Sequence, residues 1–129
     1  MVTEKLSLEQ KKVFDLIENS NDNIFVTGNA GTGKSLLLRH FKKHSKKNIV
    51  IVAPTGVAAL NVGGQTIHSF FRIPPSLVDL NSLSKDDRLA SLLRKVDTIV
   101  IDEVSMVRAD LMDAIDFRLK QARGDSDPF

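Results

Sequence analysis

The eight residues Gly28-Asn29-Ala30-Gly31-Thr32-Gly33-Lys34-Ser35 constrain this chain more than any other feature. They match G-x-x-x-x-G-K-[ST] at every defined position. The flanks agree with the motif. Ile24–Thr27 precedes it as a short apolar strand, and a helix is expected from near Lys34, with Leu37, Leu38 and Phe41 on one face. The glycines let backbone N–H groups turn inward around a phosphate. Free N–H groups at the helix start add a dipole that favours an anion. In that frame Lys34 reaches the β- and γ-phosphates of a nucleotide, and Ser35 offers its hydroxyl to Mg2+.

The rest of the chain alternates strand and helix, which implies a parallel α/β sheet with crossovers and flanking helices. Ser7 and Gln10 form a capping box for a first helix carrying Val13, Phe14, Leu16 and Ile17, which ends in the Asn19–Asn23 cluster. Asn48–Ala53 is a second strand, stopped by Pro54. A short helix over Gly56–Asn61 breaks at Gly63-Gly64, and Gln65–Arg72 is expected as a further helical turn before Pro74-Pro75. Ser84 with Asp87 gives another capping signature ahead of Leu89, Leu92, Leu93 and Val96. Asp97–Ile101 is the third strand. A last helix is expected over Ser105–Arg123, with Val107, Leu111, Ile115 and Leu119 four apart and Gly124 as its stop.

A length of 129 residues fits one domain, and no repeat or linker divides it. Apolar residues make up 42% and charged residues 26%, a balance that excludes a disordered chain. The longest apolar runs, Ile49–Ala53 and Thr98–Ile101, are too short to cross a bilayer. The N-terminus lacks the apolar core of a signal peptide, and the absence of cysteine excludes thiolate chemistry. These features lead us to expect an intracellular protein without a membrane partner. A net charge of +2 neither demands nor excludes nucleic acid.

Thr98-Ile99-Val100-Ile101-Asp102-Glu103 is an apolar strand that ends in two carboxylates. Adjacent acids there repel one another unless a cation is near, and Mg2+ with a nucleotide supplies one. Asp102 is the candidate for the Mg2+ shell, and Glu103 for orienting and deprotonating the attacking water. No D-x-x-G follows the phosphate loop. Ser84-Lys85-Asp86-Asp87 approaches N-K-x-D but has Ser first and precedes the acidic strand, so ATP is favoured over GTP.

The segment from Ala53-Pro54-Thr55-Gly56 through Gln65-Thr66-Ile67-His68-Ser69-Phe70-Phe71 is more distinctive than either motif. It resembles motif Ia and the following Ib-like segment of the Pif/RecD group of superfamily-one DNA helicases, the Pif-one family. Val26 through Ser35 is similar to that family's motif I, Ile101 through Val107 to its motif II, and Leu8-Glu9-Gln10 to its adenine-reading glutamine motif. The resemblance covers about Leu6 to Phe129. It implies a RecA-like P-loop NTPase fold and an ATP-driven motor moving 5′ to 3′ on single-stranded DNA, nuclear or mitochondrial in a eukaryote and cytoplasmic in a bacterium. Residues 1–129 would be the N-terminal part of the first RecA-like domain, ending before the motif III strand, with a second RecA-like domain and its arginine fingers as partners.

By position, the resemblance makes Thr55, Gly56, Thr66, His68 and Ser69 candidates to contact the DNA backbone. Phe70 or Phe71 would either stack on a base or pack in the core, and His68 would either meet DNA or bond within the domain. Gln10 has two readings, a helix cap or a reader of the adenine edge. Two other functional classes share the nucleotide motifs: a AAA+-type ATPase such as a helicase loader, and a non-enzymatic nucleotide-binding module. Neither accounts for the Thr55–Phe71 segment.

Three further expectations concern placement. Arg39, Lys42, Lys43, Lys46 and Lys47, with His40 and His44, are dense in charge. Ten helical residues carry them roughly 15 Å from the phosphate loop, so they should be a solvated helix end. Asp110, Asp113 and Asp116 should be the solvated face of the last helix, with Arg108 and Arg118 nearby. In the RecA-like strand order, Asn48–Ala53 should pair with Asp97–Ile101, with a vacant position separating the latter from Ile24–Thr27.

Overall fold

The computed structural model describes residues 8–26, 34–74, 80, 83, 85–124 and 129. The chain divides into two units, Met1–Lys47 and Asn48–Phe129.

In the first unit, α1 spans Leu8–Asn19 and α2 spans Lys34–His44. The Phe14 ring lies 4.7 Å from that of Phe41 and meets His40 edge-on at 4.9 Å. Phe41 is 1% exposed. A helix C-terminus leaves carbonyls without partners, and cations suit it. Lys47 does this for α1: its Nζ donates to Ile17 O and Ser20 O, both at 2.8 Å. Glu18 Oε1 accepts from Ser45 Oγ and Lys46 N, each at 3.1 Å. Ser7 of the expected capping box lies outside the described residues. The expected strand Ile24–Thr27 is not found in its described part. Ile24, Phe25 and Val26 are irregular, and Phe25 is 75% exposed. An apolar run becomes a strand only where a neighbour closes its N–H and C=O groups.

The second unit holds a three-stranded parallel sheet in the order β2-β1-β3, with β1 Ile49–Ala53, β2 Gln65–Thr66 and β3 Thr98–Ile101. β1 pairs with β3 from Ile49↔Thr98 to Val52↔Ile101, as the RecA-like order requires. The vacant position cannot be placed, because Ile24–Val26 form no strand to flank it. A polar clamp fixes the register at the strand entry. Asn48 N donates to Asp97 Oδ2 at 2.8 Å, and Asn48 O accepts from Asp97 N at 2.8 Å and Thr98 N at 3.3 Å.

α3, Gly56–Val62, follows β1 and closes at Gly63, whose φ of 66° lies in the left-handed region that glycine adopts without strain. Gly64 answers a different demand. A Cβ there would sit 2.3 Å from Ile51 O, so the chain can pass the backbone of β1 only as glycine. It then pairs with β1 as β2, at Val52↔Gln65 and Ala53↔Thr66. This corrects the single helical turn expected over Gln65–Arg72: two residues are strand, and α4 is Ile67–Phe71. Two residues are too few for an alternating pattern to show.

α5 spans Asp87–Arg94 and α6 Ala109–Arg123. The cap of α5 is Asp86, whose Oδ1 accepts from Leu89 N at 2.9 Å, while Ser84 of the expected signature lies outside the described residues. α6 begins four residues later than expected, because Val104–Met106 form a separate 3₁₀ turn. Its stop is the expected one, Gly124 at φ 61°. α5 and α6 pack together through Leu89, Leu93, Leu111, Ala114 and Ile115, joined in one core by Val52, Ile67, Phe70 and Phe71. Each large side chain there contributes about 2–3 kcal/mol of burial. Arg94 Nη1 donates to Ala122 O at 3.1 Å and Arg123 Nη2 to Val96 O at 2.8 Å, tying the helix ends together. Among the described residues no helix is long and apolar enough to cross a membrane.

Candidate functional site at the C-terminal edge of the sheet

Parallel strands in register deliver their exits to one edge. Thr55 follows β1, Thr66 ends β2 and Asp102 follows β3. Neighbouring strands are about 4.8 Å apart, so the outer two exits are roughly 10 Å apart, with Thr55 rising between them.

Both threonines are helix caps. Thr55 Oγ1 accepts from Ala58 N and Thr66 Oγ1 from Ser69 N, each at 3.2 Å. Each hydroxyl proton remains available to donate. Gly56 opens α3 in an exposed position where a Cβ would meet nothing within 4 Å. On α4, Ser69 is exposed and His68 is half-buried. The carbonyl of His68 accepts from Ile73 N at 3.0 Å, while its Nε2 is buried without a hydrogen-bond partner among the described residues. The structure decides between the two readings of Phe70 and Phe71. They are 7% and 0% exposed, their rings meet edge-on at 4.9 Å, and base stacking is ruled out for both.

On the other side of β1, Asp102 N donates to Val52 O at 2.9 Å, which extends the ladder one residue past β3 and fixes where the Asp102 carboxylate begins. Glu103 is exposed, with φ 53° and ψ 43°. A left-handed backbone costs a non-glycine residue about 1 kcal/mol or more, and such strain gathers at functional turns. Among the described residues neither carboxylate has a hydrogen bond or ion pair. Carboxylate oxygens suit Mg2+, which takes one or two of them together with nucleotide phosphates rather than a full protein cage. No group of three or more potential ligand side chains assembles among the described residues.

In the first unit, Lys34 is the exposed first residue of α2 and Ser35 its second, while Gln10 is half-buried in the first turn of α1. Gly28, Asn29, Ala30, Gly31, Thr32 and Gly33 lie outside the described residues. Lys42, Lys43 and Lys46 are exposed, as expected of a solvated helix end, but Lys47 is committed to α1. Desolvation, with His44 and Lys43 close by, lowers the pKa of His40.

Of the acidic trio only Asp113 is exposed, as foreseen for the face, while Asp110 and Asp116 are half-buried and paired, Asp110 to Arg108 at 3.1 Å and Asp116 to Lys120 at 2.9 Å. Arg118 is not on that face. It is 5% exposed, and it joins a network that includes Arg72 and Asp86, which the sequence reading missed. The signal existed: Leu111, Ile115, Arg118 and Ala122 share one helical stripe.

A parallel sheet with helices at its flanks, two acids past one strand and a phosphate-loop sequence define the RecA-like class of nucleotide-binding folds. The chain belongs to the PIF1-like helicase family, whose model matches residues 5–129. It is 42% identical over 133 residues to the ATP-dependent DNA helicase PIF1 of Saccharomyces cerevisiae, an alignment covering 96% of this chain and 15% of that protein. Among solved structures it is similar to Bacteroides Pif1 bound to ssDNA and to Bacteroides sp Pif1 in complex with ADP-AlF4. Each gives a TM-score of 0.85 at 38% identity, covering 98% of this chain and 30% of the other.

Proposed function

We propose that this chain is the N-terminal part of the first RecA-like domain of an ATP-dependent DNA helicase, hydrolysing Mg-ATP to move 5′ to 3′ along single-stranded DNA. One observation carries this reading. A single sheet edge presents an acid pair at β3, which has no ion-pair partner among the described residues, and two threonine-capped helices at β1 and β2. The relatives' printed names, ATP-dependent DNA helicase and Pif1 bound to ssDNA, agree with it.

In this mechanism Lys34 and the loop 28–33 would hold the phosphates, Ser35 and Asp102 would hold Mg2+, which would supply charge neutralisation for the nucleotide, and Gln10 would recognise adenine. Glu103, exposed at the turn after β3, would take the proton of the attacking water. Thr55, Gly56, Thr66, His68 and Ser69 contact the sugar–phosphate backbone of the strand. Such contacts position the strand without selecting its sequence.

Paired variants test the chemistry. In the full-length protein Lys34→Ala should abolish detectable ATP turnover by removing a charge-assisted phosphate contact. Glu103→Gln should still bind ATP while hydrolysis falls by about 10²–10⁴-fold. Normal hydrolysis by Glu103→Gln would show that the base is elsewhere. ATPase activity indifferent to single-stranded DNA would remove the motor reading. Unwinding of a duplex with a 3′ tail, but not a 5′ tail, would reverse the polarity.

A further inference from the structure

α4 has five residues and ends at Arg72, a non-glycine residue with φ 52°. Its last carbonyls need partners from outside the helix. Arg118 of α6 supplies them: Nε donates to Phe71 O at 3.1 Å and Nη2 to Arg72 O at 3.0 Å. A buried guanidinium is tolerated only when its donors are bonded. Its planar fork also fixes the angle between two acceptors, which a single ammonium cannot do. A second tie runs outside the core. Arg72 Nη1 reaches Asp86 Oδ2 at 2.6 Å, and Asp86 in turn caps α5. The short helix is therefore held at both ends, by the β2 ladder and the Thr66 cap at its start and by Arg118 at its finish.

We infer that Arg118 is a positioning residue for the DNA strand, fixing how α4 leaves β2 and so where Thr66, His68 and Ser69 stand at the sheet edge. This rests on the proposed strand-binding role of α4. At 1.5 Å per residue α4 is only about 7.5 Å long, so a displacement of its last turn reaches Ser69 almost undiminished. Arg118 itself is buried on the core stripe of α6, and its effect on the strand passes through α4.

The test uses Arg118→Met and Arg118→Lys, with affinity measured for single-stranded oligothymidine and for a fluorescent ADP. The expected result for Arg118→Met is roughly tenfold weaker oligothymidine binding, well below the melting temperature, with ADP affinity unchanged. Arg118→Lys should lose less, because it keeps the charge but not the fork. Should Arg118→Met not fold, a double-mutant cycle of Arg118→Lys with Ser69→Ala decides. Coupling is expected, with a combined loss smaller than the product of the single losses, because both act on the same contact. A purely multiplicative cycle, or unchanged oligothymidine affinity in Arg118→Lys, overturns the inference. Normal binding by both His68→Ala and Ser69→Ala overturns the strand-binding role of α4, and the inference with it. Weakened binding by those two beside a multiplicative cycle removes only the role given to Arg118.

Discussion

α3 and α4 are built to one plan and finished differently. Each follows a β-strand, starts on a threonine cap and ends on a residue in the left-handed region. α3 finishes on local backbone bonds: Gly63 turns the chain without strain, and Gly64 N donates back to Ala59 O at 2.9 Å. α4 finishes on Arg72 and relies on Arg118, brought 46 residues along the chain from α6. One helix end is specified by its own sequence, the other by the tertiary fold.

Substitutions can break this contrast in order of expected size. Gly64→Ala should be the most damaging, costing about 3 kcal/mol or more, because its Cβ would meet the Ile51 backbone, which cannot give way. Chemical denaturation measures it, and a near-neutral result would mean that β1 and β2 can separate. Arg118→Met should follow, at about 2 kcal/mol, since it leaves the buried Phe71 carbonyl and the part-buried Arg72 carbonyl without its donors. Thr55→Ala and Thr66→Ala should cost about 1 kcal/mol each. A markedly larger loss at Thr66 would show that α4 depends on its cap as well as its clamp. Arg72→Gly relieves left-handed strain but removes the tie to Asp86, so its melting temperature should barely move.

The smallest effect is one of pH. The backbone hydrogen bond from Leu89, then the Arg72 guanidinium, holds the Asp86 carboxyl below its ordinary range. A depressed carboxylate contributes stability above its unfolded value, near pH 4, and loses it as pH falls through the folded value. Amide protection at Leu89 should therefore weaken below about pH 4. α3 contains no titratable side chain, so protection at Gly63 and Gly64 should not follow that titration.

The same contrast explains what the sequence disclosed. Local chemistry was legible: the end of α3 at Gly63-Gly64, the stop at Gly124, and the apolar runs that became β1 and β3. Features that depend on distant partners were not. β2 exists because Gly64 lets the chain lie against Ile51, and two residues carry no period of their own. Arg118 looked solvated beside Asp116 although it occupies the apolar stripe of α6, because its partners are backbone carbonyls that no motif announces. The Ile24–Thr27 run had the composition of a strand, and Ile24–Val26 are irregular. In the candidate site, motifs nominated the residues, while the left-handed turn at Glu103 and the buried placement of Phe70 and Phe71 became visible only in three dimensions.

Val52 serves both sides of the sheet edge. Its carbonyl holds Asp102 N, and the same residue lies opposite Gln65, one step before Thr66. The acid turn and the second threonine cap thus hang from one link of a single central strand, with no joint between them. Val52 is therefore the shortest route through backbone and hydrogen bonds between the acids and the cap, a shared anchor and not two separate ones.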